Sequence, residues 1–192
     1  MLFECDCRYC SDNTYLGDAN GILYIEIPKN ASYIIKEKLV KPGKCNISPD
    51  DAKNYTQSFF VFRDPIERFK SLCSHYLLDG SRLIYGEMWM TRNKLDKKNY
   101  NGLADMVLSN FDLLSNIREP HHWNTQMSFI PQFVFDKDVK IYGMSQISEE
   151  LGVPQRNISS SNEIELTEND IERIKLLYED DFKIYDKYLS NL

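Results

Sequence analysis

A polar loop directly after an apolar run carries groups that bind a phosphate or a sulfate. The loop at 29–32 follows the apolar residues 22–27. Its backbone N–H groups and the start of the next helix can cradle an anion, while Lys29 adds a point charge and Ser32 a hydroxyl donor. Because the loop lacks the glycine and lysine spacing of a P-loop nucleotide triphosphatase, an ordinary turn with a solvated lysine is the alternative interpretation.

A second polar junction follows the apolar run at 58–62. Arg63 comes directly after this run, and its guanidinium fork suits bidentate binding of a phosphate. Ser71 lies eight residues further on and can add one hydroxyl donor. A surface ion pair of Arg63 with Asp64 or Glu67 is the alternative explanation of this junction.

The pattern of apolar residues predicts strands and helices in alternation. Strands are predicted at 22–27, 58–62, 133–135 and 139–143. Helices are predicted at 33–40, 65–77, 102–111, 145–151 and 171–185, with an irregular or partly helical segment at 79–101. Asp64 can cap the second helix, for which Pro65 suits the first turn, and Thr167 with Asp170 can cap the last. This order predicts an α/β fold with a mainly parallel central sheet flanked by helices.

The two polar junctions both lie where ligands usually bind in such a fold. In a parallel sheet the ligand sits beyond the carboxyl ends of the strands, so the strand-to-helix junctions are the candidate sites. The helix after the second junction repeats its apolar residues at helical spacing, which puts Glu67, Arg68, Lys70 and Ser74 on its other faces.

Length and composition favour one folded domain. The 192 residues are 42% hydrophobic and 12% aromatic, which suffices for one buried core. We expect a single domain over 1–192, with 1–21 as a loose N-terminal segment. The net charge of −6 argues against general nucleic-acid binding, so any anion site must be local. No apolar run is long enough to span a membrane, and the first residues lack the pattern of a signal peptide.

The five cysteines predict neither a disulfide framework nor a metal site. Cys5, Cys7 and Cys10 cluster near the N-terminus, whereas Cys45 and Cys73 are isolated. Three thiolates can bind zinc or iron, but structural zinc sites usually have four ligands at other spacings. Reduced thiols in a loose terminal segment are the preferred interpretation.

Together the two junctions resemble the cofactor-binding elements of the sulfotransferase superfamily. The segment YIEIPKNASYIIKEKL is similar to the loop that binds the 5'-phosphosulfate, except that Tyr33 stands where the family commonly has Ser or Thr. The segment FFVFRDPIERFKSLCSHYL is similar to the strand and helix that bind the 3'-phosphate, with Arg63 and Ser71 at the matching positions. His122 in its His-Trp pair, the following Gln126 and the segment IYGMSQISEELG resemble the central part of the Golgi-type carbohydrate sulfotransferases, sulfotransferase family 2.

The resemblance implies a P-loop-like fold of three layers. It also implies that the chain binds 3'-phosphoadenosine 5'-phosphosulfate and needs no metal. It implies transfer of the sulfuryl group, by in-line displacement, to a hydroxyl of a carbohydrate-like acceptor. The implied cofactor site consists of Lys29, Asn30, Ala31, Ser32, Tyr33, Arg63 and Ser71. Lys29 would stabilise the charge that grows on the leaving phosphate. His122 is the first candidate for the base, because histidine titrates near neutral pH, and Glu37 is the second, ahead of His75 and His121.

Two other functions stay open at this point. A non-catalytic module that keeps the cofactor pocket fits the departure at Tyr33, and a small-molecule kinase is a third reading that the missing Walker pattern disfavours. A tryptophan, Trp89 or Trp123, could stack on a sugar acceptor. A basic patch that could attract a polyanionic acceptor consists of Arg82, Arg92, Lys94, Lys97 and Lys98. The chain as given suggests a cytoplasmic protein. If it is a piece of a longer, membrane-anchored protein, the expected location is the Golgi lumen.

Overall fold

A mixed four-stranded sheet forms the centre of the molecule. The computed structural model describes residues 15–40, 46–78, 83–117, 119–154 and 164–189. The strands, which follow one another across the sheet in chain order, are β1 (Tyr15–Ala19), β2 (Ile22–Glu26), β3 (Gln57–Phe62) and β4 (Asp138–Gly143). β1 runs antiparallel to β2, whereas β2, β3 and β4 are parallel. The prediction of an α/β fold with a mainly parallel sheet flanked by helices is confirmed at this level.

Helices connect and cover the strands. Those within the described ranges are α1 (Ser32–Leu39), α2 (Pro49–Ala52), α3 (Pro65–Leu77), α4 (Leu83–Arg92), α5 (Leu103–Ser109), α6 (Ile147–Leu151), α7 (Glu168–Leu177) and α8 (Glu179–Tyr188). Short 3-10 helices span Lys97–Asn99, Phe111–Asn116, Pro120–Trp123, Gln126–Phe129 and Gln132–Asp136. Among these described helices, none has the length and apolar character that crossing a membrane requires.

Side chains of the strands alternate between the two faces of the sheet, and different helices cover each face. On one face Phe59 belongs to a buried cluster with Ile35 of α1. On the other face Phe60 belongs to a second cluster with Phe129 and Leu189. A third apolar cluster joins α3, α4, α5 and α7. Burial of this apolar surface on both faces holds the strand ends, and the loops that follow them, in fixed positions.

The N-terminal segment departs from the prediction. Residues 15–19, predicted as part of a loose segment, form β1 at the edge of the sheet. A two-residue turn joins β1 to β2, and both of its residues, Asn20 and Gly21, have positive φ, at 59° and 88°. Asn-Gly is the pair that such a hairpin turn favours, and Leu16 anchors the strand in the core. Residues 1–14, with Cys5, Cys7 and Cys10, lie outside the described residues, as does Cys45.

Two predicted elements also take other forms. The apolar run at 133–135 lies in the 3-10 helix Gln132–Asp136 and not in a strand, because a short apolar run does not distinguish the two conformations. The predicted last helix is two helices, α7 and α8, which meet at Tyr178. The buried hydroxyl of Tyr178 donates a hydrogen bond to the carbonyl oxygen of Trp123 at 2.9 Å, which fixes the chain at the break.

Candidate functional site

The two polar junctions meet at the carboxyl edge of the sheet. The register of the parallel pair β2 and β3 places Ile25 opposite Phe60, so the two strands end side by side. Arg63 donates a hydrogen bond from Nη1 to the carbonyl oxygen of Lys29 at 3.3 Å. Burial lowers the pKa of Arg63, whereas the nearby carboxylates of Glu67 and Asp64 raise it. An arginine guanidinium is effectively always protonated in proteins, so this group is charged. A fixed positive charge therefore lies against the first loop.

The first junction is a tight turn in a costly backbone conformation. The N–H of Asn30 donates to the carbonyl oxygen of Ile27 at 3.3 Å, which closes a four-residue turn with Pro28 second and Lys29 third. Lys29 has φ of 70°, at the position where this kind of turn favours glycine. Ala31 is also left-handed, with φ of 58°. Each such residue costs about 1–2 kcal/mol, so backbone strain is concentrated around the lysine.

The start of α1 is open to an anion. Its N-cap residue, Ala31, provides no side-chain hydrogen bond, and the first turn contains no acidic residue. The first four N–H groups of a helix have no partner within the helix, and the positive end of the helix dipole attracts negative charge. Tyr33, in the first turn of this helix, is 60% exposed.

Asn30 and Gln126 fasten the two junctions to each other. The Asn30 amide donates to the carbonyl oxygen of Val61 at 2.8 Å and to Oε1 of Gln126. Gln126 also accepts from the N–H of Arg63 at 3.0 Å and donates to its carbonyl oxygen at 2.8 Å. Both amide side chains are buried. Asn30, predicted to contact the cofactor, thus has a structural role through its side chain.

Arg68 is buried and satisfies three carbonyl groups around the loop. Its guanidinium donates to the carbonyl oxygens of Pro28 at 3.2 Å, Asn124 at 2.9 Å and His122 at 2.7 Å. The residue is 1% exposed, and this burial lowers its pKa. The prediction that Arg68 lies on a polar face of its helix is wrong, because α3 is enclosed on more sides than its apolar stripe indicates.

Asp181 of α8 binds the backbone of the segment that contains Gln126. Its carboxylate accepts hydrogen bonds from the backbone N–H groups of Gln126 at 2.7 Å and Met127 at 3.0 Å. Burial raises the pKa of Asp181, whereas these two N–H groups and the charge of Arg68 lower it. The sequence pattern did not predict that Arg68 and Asp181 lie next to the candidate site. A charged residue at an apolar position of an amphipathic helix was the sequence feature that could have indicated it.

His122 lies next to the loop and contacts two other polar side chains. Its Nδ1 atom is 2.7 Å from the hydroxyl oxygen of Tyr76 and 3.6 Å from Oε2 of Glu119. Burial, followed by the charges of His121 and Lys29, lowers the pKa of His122 to about 2. Arg68 donates to the carbonyl oxygens of both Pro28 and His122, which places His122 beside the loop.

The remaining predicted site residues have other surroundings. Ser71 is only 3% exposed within α3, so its hydroxyl is covered by protein. Glu37 lies on the exposed side of α1 and pairs with Lys38 at 3.0 Å. His75 packs edge-on against Tyr76, with 4.9 Å between ring centroids. The structure therefore brings Lys29, Arg63 and His122 together at the carboxyl edge of the sheet. Ser71 is buried within α3, and Glu37 lies on the exposed side of α1.

Of the residues expected to contact the acceptor, the tryptophans are buried and the described basic residues are exposed. Trp89 and Trp123 are 2% and 3% exposed, so both belong to the core and neither offers a face to a sugar. The basic residues of the predicted patch that the structure describes are exposed, and these are Arg92, Lys94, Lys97 and Lys98. Arg82 lies outside the described residues.

Metal ligands do not cluster in the described part of the chain. There, no group of three or more His, Cys, Asp or Glu side chains is arranged to hold a metal ion. Cys73 is buried in α3, and this burial raises the pKa of its thiol.

The chain was compared with models of protein families, with curated proteins and with solved structures, and none of them matched.

Proposed function

We propose that this chain binds 3'-phosphoadenosine 5'-phosphosulfate at the carboxyl edge of its sheet and transfers the sulfuryl group to a hydroxyl of a carbohydrate-like acceptor. The observation that carries the proposal is the contact between Arg63 and the carbonyl oxygen of Lys29. It places a partly buried guanidinium, a loop lysine and an uncapped helix start at one edge. Such groups can bind the two separate phosphates of this cofactor.

Lys29 and the N–H groups at the start of α1 bind the 5'-phosphosulfate. When the bond from sulfur to the bridging oxygen breaks, negative charge grows on the phosphate that leaves. Fixed donors aimed at that oxygen stabilise the charge without having to reorganise, which is often the largest single contribution to catalysis. The strained turn at Lys29 supplies this fixed geometry.

Arg63 binds the 3'-phosphate. The Gln126 amide holds the backbone of Arg63 on both sides, and the carbonyl oxygen of Lys29 orients the guanidinium. A guanidinium held in this way loses little rotational freedom when a phosphate binds, so its planar fork is preorganised.

His122 accepts the proton of the acceptor hydroxyl. On its own it is a weak base, because burial, followed by the charges of His121 and Lys29, lowers its pKa to about 2. The bound cofactor brings several negative charges next to these cations, and negative charge raises the pKa of a neighbouring imidazole. Binding of the cofactor therefore moves the base toward the range in which it takes a proton efficiently.

Calorimetric titration with 3'-phosphoadenosine 5'-phosphate tests the cofactor site. Arg63→Ala removes charge-assisted hydrogen bonds, so the dissociation constant is expected to rise roughly 10- to 100-fold. The matched control is Arg92→Ala, which removes an exposed arginine of α4 and should leave the affinity unchanged. Failure of the unaltered protein to bind the nucleotide at millimolar concentration would rule the proposal out.

A non-catalytic nucleotide-binding module is the second candidate function. It is favoured by Tyr33, which replaces the hydroxyl residue common in the resembled loop. Conversion of the phosphosulfate to the phosphate, with a mixture of unsulfated glycans as acceptors, separates the two functions. An enzyme should show turnover that Lys29→Ala lowers by about 100-fold or more, whereas a binding module should bind the nucleotide without turnover.

A further inference from the structure

Three polar side chains meet where the end of α3 packs against the segment at 119–123. The hydroxyl oxygen of Tyr76 lies 2.8 Å from Oε2 of Glu119 and 2.7 Å from Nδ1 of His122. Tyr76 is fully buried, and its ring lies against Trp123 with 5.9 Å between centroids. The side chains of His122 and Glu119 are 19% and 14% exposed. Both hydrogen bonds therefore form in a largely dry place, where an unmatched donor or acceptor is costly.

The hydroxyl of Tyr76 has one proton and contacts both Glu119 and His122. This proton goes to Oε2 of Glu119, to which the hydroxyl donates its hydrogen bond. The short contact with His122 then requires the imidazole to donate, through a proton on Nδ1. The opposite arrangement would set lone pairs of the phenol against the carboxylate at 2.8 Å.

This arrangement fixes the other ring nitrogen as well. A neutral imidazole carries one ring proton, so protonation of Nδ1 leaves a lone pair on Nε2. Within the described residues, the hydrogen bond of the His122 side chain to Tyr76 and its 3.6 Å contact with Oε2 of Glu119 both use Nδ1. The part of the ring that is not engaged by Tyr76 and Glu119 therefore carries the basic nitrogen.

The backbone brings Glu119 to this position at a cost. Glu119 has φ of 55° and ψ of 55°, a left-handed conformation that non-glycine residues seldom adopt. Its carbonyl oxygen accepts from the N–H of His122 at 3.1 Å, in the turn that sets the two side chains next to each other. Strain of this kind persists where the surrounding structure enforces it, often at functional sites.

We propose that Glu119, acting through Tyr76, holds His122 in the tautomer with Nδ1 protonated and so keeps Nε2 ready to accept a proton. Glu119 and Tyr76 are positioning residues, and the use of the Nε2 lone pair in catalysis rests on the proposed function. In the transfer step the acceptor O–H bond breaks and its proton goes to Nε2. The acceptor oxygen bonds to sulfur, and the electron pair of the broken sulfur–oxygen bond leaves with 3'-phosphoadenosine 5'-phosphate.

Long-range proton–nitrogen NMR spectra of the whole chain read the protonation of each ring nitrogen. The chain has three histidines, so His75→Gln and His121→Gln variants assign the signals of His122. We expect Nδ1 of His122 to carry the proton in the unaltered protein. Glu119→Gly removes the carboxylate and suits the left-handed backbone, so Tyr76 should then donate to Nδ1 and the proton should move to Nε2. A proton on Nε2 in the unaltered protein would overturn the proposal, whatever the activity of the protein.

Kinetics provide the second arm of the test. Glu119→Gly should lower kcat about 100-fold, because the base then presents a protonated nitrogen. Adding Tyr76→Phe removes the donor to Nδ1, so part of the lost kcat should return, while the affinity for 3'-phosphoadenosine 5'-phosphate stays unchanged in both variants. A double variant no faster than the single variant would refute the positioning role. If the NMR result holds but the unaltered protein shows no turnover, the tautomer stands and the proposed function fails.

Discussion

The two strand-to-helix junctions differ in how the start of the helix is stabilised. After β3, the Asp64 carboxylate accepts from the N–H of Glu67 at 3.0 Å and Pro65 begins α3, so this helix start is capped. After β2, Lys29 and Ala31 have positive φ, and α1 begins without a side-chain cap. One junction satisfies its own polar groups with ordinary backbone, whereas the other keeps strain and open donors.

This difference shows where the molecule accepts backbone strain. A strained, uncapped loop persists only when its surroundings hold it in place. Arg68 of the capped helix donates to the carbonyl oxygen of Pro28, and the side chain of Asn30 donates to Val61 of β3. The satisfied junction is thus the support that keeps the strained one in its conformation.

The largest expected effect comes from removing that support. Arg68→Met keeps the volume of the side chain but leaves three carbonyl groups without their donor and the buried Asp181 without its nearby positive charge. We expect the free energy of unfolding to fall by about 3–5 kcal/mol, measured by urea denaturation. Arg92→Met, at an exposed position of α4, is the control and should stay within about 0.5 kcal/mol of the unaltered protein. Equal losses in the two variants would contradict the supporting role of Arg68.

An intermediate effect is expected from the titration of His122, which lies against the strained loop. In the folded protein, burial lowers the pKa of His122 to about 2, with smaller contributions from the charges of His121 and Lys29. In the unfolded chain the pKa stays at about 6.5. As pH falls below about 6.5 the unfolded state binds the proton and the folded state does not, so stability is lost progressively. From pH 7 to pH 5 the loss is about 2 kcal/mol.

Unfolding free energies of the unaltered protein and of His122→Gln over this pH range check the prediction. The variant should show the shallower dependence on pH, since the contributions of all other groups are common to both proteins. Parallel pH profiles would show that His122 titrates normally in the folded state.

The smallest effects are expected from matched substitutions at the two junctions, and their signs should differ. Asp64→Ala removes the cap of α3 and should lower the free energy of unfolding by about 1 kcal/mol. Lys29→Gly relieves the left-handed backbone and should raise it by about 0.5 kcal/mol, while lowering the proposed sulfuryl transfer by about 100-fold or more. Thermal unfolding of both variants decides the point, and a loss of stability in Lys29→Gly would argue against stored strain in the loop.

The sequence predicted the junctions well because they depend on local patterns. Apolar runs that end in Pro28 and Arg63 mark two strand ends, and parallel strands bring such ends together at one edge. The cap at Asp64 and the capping box of Thr167 with Asp170 were predicted from spacing alone, and the structure confirms both.

The supporting contacts escaped prediction because they are not local. Helical periodicity identifies the apolar positions of α3, but it does not show that carbonyl groups from two distant segments surround Arg68. The contact of Tyr76 with Glu119 and His122 likewise joins parts of the chain that the sequence leaves far apart. Only the packing of α3 against the segment at 119–123 reveals it.

The most direct test of the cofactor assignment is whether Arg63 makes the protein prefer a nucleotide with a 3'-phosphate over one without it. Calorimetry with 3'-phosphoadenosine 5'-phosphate and with adenosine 5'-phosphate, on the unaltered protein and on Arg63→Ala, gives the coupling between this residue and that phosphate. We predict that the unaltered protein prefers the nucleotide with the 3'-phosphate by roughly 10-fold or more, and that Arg63→Ala loses most of this preference. Equal affinities for the two nucleotides in the unaltered protein, or a preference that survives in Arg63→Ala, would contradict the assignment.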